Sequence, residues 1–263
     1  MFLYPAINPI AFSIGKISIH WYGIMYVLGF VAFLYLAKKQ VKNDKTELKT
    51  EDIDFILQYS IVGVILGGRL GYCIFYQFAE TISNPLFVFK IHEGGMSFHG
   101  GLLGVILSLF IFSRLRNFPF YLITDLVARY TPIGLGLGRV GNFINGELYG
   151  RPTSSDVPWS FVFPHVDLLP RHPSMLYEAI LEGAVLYALL YLSNTRKYLG
   201  RVSILFLLYY SSMRFVIEFY REPDAHLGLF YFNVTLGQIL CIGMFIAGLS
   251  LYWYQAKRVW KII

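Results

Sequence analysis

Apolar residues run along this chain in blocks too long and too uniform to be the faces of a soluble fold. The stretches at about 17–37, 53–78, 96–112, 120–144, 174–193, 202–221 and 233–254 are predominantly apolar and are joined by polar connections. A hydrocarbon core of about 30 Å is crossed by about 20 apolar residues in helix, so the pattern predicts an all-α integral membrane protein, a bundle of about seven transmembrane helices. Polar positions inside these blocks keep helical spacing. Tyr210, Arg214, Glu218 and Arg221 fall at i, i+4, i+8 and i+11, on one face of the sixth span. Gly63, Gly67 and Gly71 form a small-residue stripe suited to close helix packing. Asp125 and Arg129 have the i, i+4 spacing of an internal pair. Pro132 removes a backbone donor and predicts a kink, leaving the glycine-rich stretch after it free to depart from regular helix. Thr50 reads as the N-cap of the second span, with Glu51 and Asp52 in its first turn. Five of the eleven prolines lie between Arg151 and Pro173, where no periodicity is visible. Residues 146–173 therefore predict a small extracytoplasmic cap between spans four and five of a single domain, 1–263. Arg151 reads as an exposed cap residue.

Composition strengthens this reading and charge orients it. The 263 residues are 56% hydrophobic and 14% charged, against roughly a quarter charged in soluble domains. Thirteen of the twenty-two basic residues follow spans one, three, five and seven: Lys38, Lys39, Lys42, Lys45 and Lys49, then Arg114 and Arg116, then Arg196, Lys197 and Arg201, then Lys257, Arg258 and Lys261. The positive-inside rule then puts the N-terminus outside and the C-terminus in the cytoplasm. Because these charges sit in short loops, the net charge of +6 gives no reason to expect a nucleic-acid partner. The N-terminal segment lacks a basic start, a compact apolar core and a small-residue cleavage site, so the first span is expected to stay in place. Cys73 and Cys241 both lie in apolar runs and read as small buried hydrophobes.

The stretch Gly136–Gly150, GLGRVGNFINGELYG, resists explanation by hydropathy. Arg139, Asn142, Asn145 and Glu147 follow directly on an apolar run, and a charge at the bilayer centre costs roughly 2.5–3.5 kcal/mol on insertion scales. Such groups belong in a polar cavity at the membrane's outer edge. Arg69, deep in the second span, is a functional candidate with a structural ion pair as its rival. His99 opens the third span between paired glycines. His20 and Trp21 read as an interfacial anchor, and Tyr22 as an anchor or a site residue. Guanidinium groups match phosphate oxygens bidentately, so arginines with a histidine, asparagines and carboxylates, and no nucleophile, point to an anionic phospholipid. The histidines lack metal-ligand spacing, and no metal or cofactor is expected. A transporter or a lipid-binding receptor with an arginine-lined core is the alternative, although no internal repeat is visible.

The segment GRVGNFINGELYG at 138–150 resembles the signature G-R-x-G-N-F-x-N-x-E-x-x-G of the prolipoprotein diacylglyceryl transferases. The likeness extends to HWYG at 20–23, GGRLGY at 67–72, GGMSFHGG at 94–101, LPRHPSMLYE at 169–178 and RFVIEFYREPDA at 214–225. Met175 stands where Gln is common in the family, and the cap is shorter than in some members. The resemblance implies transfer of the diacylglyceryl group of phosphatidylglycerol to the lipobox cysteine of a preprolipoprotein, in the bacterial cytoplasmic membrane. It also implies functional roles for Tyr22, His99, Arg139, Asn142, Glu147, Gly150, Arg214 and Glu218, with Arg69 and Tyr210 beside them. The attacking sulfur would belong to the signal-peptide substrate, which agrees with two buried cysteines.

Overall fold

The computed structural model describes residues 1–15, 17–44, 46–90, 94–193, 198–223 and 234–260, with the backbone alone for 258–260. Lys45, Arg196, Lys197 and Lys261 of the charge pattern lie outside the described residues, as do Asp224 and Ala225 of the last matching stretch. The long helices are α1 (Trp21–Asp44), α2 (Thr50–Phe75), α4 (Phe98–Arg116), α5 (Phe120–Asn145), α6 (Ser174–Leu192), α7 (Arg201–Ile217) and α8 (Leu236–Trp260), with a short α3 at Phe78–Ser83. Five of them, α1, α2, α4, α6 and α8, are long and apolar enough to cross a membrane. Along these helices side chains such as Val27, Val62, Ile74, Leu107, Ile111 and Ile246 face outward, the arrangement expected when lipid is the solvent. The chain is a mainly helical integral membrane protein. α5 carries Asp125, Arg129 and Arg139, and α7 is only 17 residues long, which sets both apart from the five.

Three local expectations are corrected. The first span begins at Trp21 and not near residue 17, because Ile10–Ile14 (β2) and Ile17–His20 (β3) pair as an antiparallel hairpin. Their apolar and polar residues alternate with period two, and Gly15 takes φ +61 at the turn. The cap of the second helix lies one residue earlier than Thr50. Lys49 is the N-cap, and its backbone N–H donates to the Asp52 carboxylate at 2.9 Å. Finally, Pro132 does not end regular helix: α5 runs unbroken to Asn145. Glycines of α5 serve close packing instead. A Cβ on Gly136 would lie 3.0 Å from the Gly183 Cα of α6, and one on Gly141 would lie 2.8 Å from the Tyr22 ring.

The contacts divide the chain into two units, Met1–Phe33 with Val127–Ile263, and Leu34–Leu126. In the second, α2 and α4 interlock through glycine. A Cβ on Gly67 would lie 2.3 Å from the Gly100 carbonyl oxygen, and one on Gly63 would lie 2.6 Å from that of Gly104, so α4 is the partner that the small-residue stripe predicts. In the first unit, Leu186 and Leu190 of α6 pack with Val202, Phe206 and Tyr210 of α7. A small sheet completes the cap: Phe2–Leu3 (β1) runs parallel to Phe161–Val162 (β4), which pairs antiparallel with Pro170–Arg171 (β5). Beneath it Tyr4, Phe163 and Met175 form a second apolar cluster, so Met175 fills a packing position.

Candidate active site

Close approach of α5 and α6 at Gly136 and Gly183 brings the next turn of α5, bearing Arg139, against the start of α6. There Arg139 Nε lies 2.7 Å from Glu178 Oε2, and its Nη2 lies 3.8 Å from Glu182 Oε2. Arg214 of α7 reaches the same two carboxylates from another helix: Nη1 hydrogen-bonds Glu178 Oε1 and lies 3.5 Å from Glu182 Oε1. Its Nη2 lies 2.9 Å from Glu218 Oε2, one turn on. Arg221, in the turn after α7, adds Nη1 at 3.2 Å from Glu178 Oε1. Three arginines thus meet one carboxylate that has no exposed surface, with a second buried carboxylate one turn deeper. Burying an ion costs several kcal/mol unless partners replace water, and here each charge supplies the other's partner.

The rest of the signature is arranged around Arg139. Its Nη1 donates to Asn142 Oδ1 at 3.4 Å, and the Asn142 amide donates to Glu147 Oε1 at 2.8 Å, as Asn145 does at 3.2 Å. The chain turns back at Gly146 (φ +67) and Leu148 (φ +58), which carries Glu147 back toward the helix end. Gly150 has no alternative residue: a Cβ there would lie 2.5 Å from both the His172 and Tyr220 carbonyl oxygens. Its N–H donates to His172 O at 2.8 Å. Arg151 is half-buried and not exposed as expected, because its Nε donates to the Arg221 carbonyl at 2.9 Å. Glu218 also accepts from Thr235 Oγ1 at 3.0 Å, and Thr235 with Gln238 forms the capping box of α8. Tyr22 lies over Gly141, its hydroxyl 3.1 Å from that of Tyr26. Tyr210 is buried and stacked on Phe206.

Two further features sit in the cap. Arg171 donates to Asp167, to Glu222 at 3.0 Å and to the Gly150 carbonyl at 3.0 Å, clamping the segment that holds Gly150. Those hydrogen bonds hold the Asp167 carboxyl below its ordinary range, and burial pushes the His172 imidazole down. A cavity of about 340 Å3, lined by Trp159, His172, Tyr177, Leu181, Ile217 and Tyr220 among others, lies beside this region. Its lining residues Tyr177 and Tyr220 directly precede Glu178 and Arg221 in sequence.

In the other unit Arg69 is fully buried. Its Nε donates to Val88 O at 3.1 Å, Nη1 to Gly94 O at 2.6 Å and Gly95 O at 3.3 Å, and Nη2 to Phe87 O at 2.5 Å. Phe87 also covers the guanidinium, 4.7 Å from ring centroid to carbon. Among the described residues these carbonyls surround it, and no carboxylate does. His99 is half-buried in the first turn of α4, whose N-cap is Ser97, accepting from the Gly100 N–H.

The motif geometry thus gathers guanidinium groups, the donors that match phosphate, on buried carboxylates. Residues 9–254 match the family model of the prolipoprotein diacylglyceryl transferases. The chain belongs to that family. Proteins named phosphatidylglycerol–prolipoprotein diacylglyceryl transferase resemble it closely over its length. That of Bordetella bronchiseptica is 48% identical over 260 residues, 98% of both chains. That of Legionella pneumophila (strain Lens) is 50% identical over 261 residues, 98% of this chain and 100% of the relative. In this diacylglyceryl transferase family member, Glu178 and Glu182 are the prominent groups of the cluster that the sequence reading passed over. A signal was present, since both are carboxylates at i, i+4 inside an apolar run, the criterion that singled out Arg139 and Arg69.

Proposed function

We propose that this chain transfers the sn-1,2-diacylglyceryl group of phosphatidylglycerol to the thiol of the lipobox cysteine of a preprolipoprotein, the first step of bacterial lipoprotein maturation. The observation that carries this reading is the cluster of Arg139, Arg214 and Arg221 on buried carboxylates, in a chain with full-length relatives named for that activity. The substrate thiol attacks the glycerol carbon bearing the phosphate. A carbon–sulfur bond forms, the carbon–oxygen bond breaks, and glycerol phosphate leaves with the bonding electrons. The thiol proton passes to His99, an imidazole being a side chain able to accept a proton at neutral pH. Arg139 and Arg214 hold the phosphate as charge builds on it, an electrostatic role of the kind usually worth most in such sites.

Asn142, fixed by Glu147, is placed for the headgroup or the signal peptide backbone, since its amide both donates and accepts. Glu218 orients Arg214, and Tyr22, Tyr210 and Gly150 shape the site. Arg69 acts by holding the segment that precedes His99. The basic loops support a seven-helix arrangement of the whole chain as one catalytic domain in the cytoplasmic membrane. The N-terminus is then outside, the C-terminus inside, and the site open to the outer leaflet, where both substrates arrive from the bilayer.

The test is direct. Purified protein in detergent, given phosphatidylglycerol and a lipobox peptide, is expected to yield a peptide heavier by one diacylglyceryl group in a linkage that resists hydroxylamine, as a thioether does and a thioester does not. Folded wild-type protein that forms no such product would refute the reading.

A further inference from the structure

Glu178 closes the matching stretch LPRHPSMLYE, yet neither the resemblance nor the mechanism above gives it a role. It ends the opening turn of α6, Ser174–Glu178, where that helix widens into a π-helical segment, Ala179–Val185, and such segments are frequent at functional sites. Its two oxygens are divided between helices: Oε2 meets Arg139 of α5 at 2.7 Å, and Oε1 meets Arg214 of α7 and Arg221 beyond it, the latter at 3.2 Å. The carboxylate engages Arg139 on its Nε side, while Asn142 takes Nη1. It engages Arg214 at Nη1, while Glu218 takes Nη2. Both guanidinium groups share Glu178 and Glu182, and Glu178 is the nearer partner of each. The Nε approach to Oε2 is an ion pair without a directed hydrogen bond among the described residues. Arg139 is accordingly held to Glu178 by charge.

Resting on the reading of function above, we propose that Glu178 is the positioning residue of the phosphate fork, setting the separation and orientation of Arg139 and Arg214 from the space between them. Without a shared negative partner, two guanidinium groups brought to one pocket repel each other and lose the geometry that bidentate phosphate recognition needs. Glu178 does not touch the reacting atoms. Its contribution is to keep both forks aimed at the position where charge develops, which appears in turnover more than in ground-state binding.

Steady-state transfer by Glu178→Gln and Glu178→Asp, measured beside wild type with melting temperatures in detergent, tests this. Glu178→Gln is expected to lower kcat by about 10²-fold or more, the scale seen when a preorganised electrostatic group is lost, with KM for phosphatidylglycerol changed less than about threefold. Glu178→Asp keeps the charge, and with it the means to fold, but falls short by one methylene. A kcat at least about tenfold below wild type is expected for it. A residue needed only for folding would instead lower the melting temperature and leave the kcat of the surviving protein intact. Near wild-type kcat in either folded variant, or a raised KM with unchanged kcat, would overturn the role. If wild type itself formed no thioether product, the function would be refuted. Wild-type product with a fully active Glu178→Gln would refute only the positioning role.

Discussion

Arg69 and Arg139 are both arginines in the interior of a helix, and they are neutralised in opposite ways. Every nitrogen of the Arg69 guanidinium donates to a backbone carbonyl, from Phe87, Val88, Gly94 and Gly95. Arg139 instead lies against the carboxylates of Glu178 and Glu182. Backbone carbonyls cannot leave without unfolding the segment that carries them, so a guanidinium held this way is a structural tie. A carboxylate is a discrete counter-ion, and a phosphate group can share or replace it through the same donors. The contrast separates an arginine that builds the protein from one that can work on a ligand.

The largest expected effect breaks the ionic side of this comparison. Arg214→Lys keeps the charge and loses the planar fork that spans Glu178 and Glu218, and a fall in kcat of about 10²–10³-fold is expected in transfer assays with phosphatidylglycerol. Arg214→Ala should be no better. A smaller effect belongs to Arg151, whose Nε bonds only a backbone carbonyl, that of Arg221. Arg151→Lys is expected to lose less than about tenfold, or roughly 1.4 kcal/mol, and a loss as large as that of Arg214→Lys would erase the distinction between the two kinds of partner.

The smallest effect concerns stability in the cap. Hydrogen bonds from Arg171 hold the Asp167 carboxyl below its ordinary range, so the ionised form is the one favoured in the folded protein. Its contribution is complete above the unfolded value of about 3.9 and is lost as pH falls through the lower, folded value. Melting temperatures of wild type and Asp167→Asn should therefore differ above about pH 4 and converge below it. A difference that persisted unchanged into stronger acid would show that the carboxylate charge is not involved.

What could be read in the sequence was whatever has a period. The face of Tyr210, Arg214 and Glu218 follows from 3.6-residue spacing, and the pair Arg214–Glu218 forms at 2.9 Å. The glycine stripe of α2 meets a glycine-bearing partner for the same reason. The shell of Arg69 was not legible, because its acceptors are main-chain carbonyls, which every residue carries. Nor was the continuation of α5 past Pro132. The loss of one donor there is local, whereas close contacts at Gly136 and Gly141 act along the whole helix. Glu178 stood in the matching stretch LPRHPSMLYE without a role, because it and Glu182 lie at the head of an apolar run that drew attention to its length as a span. The second strand of the hairpin, Ile17–His20, was absorbed into the first span in the same way, although its alternation has period two.

The central claim, that Arg139, held by carboxylates, acts on phosphate while Arg69, held by carbonyls, maintains the fold, is tested by one paired measurement. Arg139→Lys and Arg69→Lys are purified in detergent, and kcat at saturating phosphatidylglycerol is determined for each together with its melting temperature. Arg139→Lys should fall at least about 10²-fold in kcat while melting near wild type, and Arg69→Lys should show its main loss in melting temperature, with the smaller fall in kcat. The reverse pattern, with Arg139→Lys turning over at the wild-type rate and Arg69→Lys stable but inactive, would contradict it.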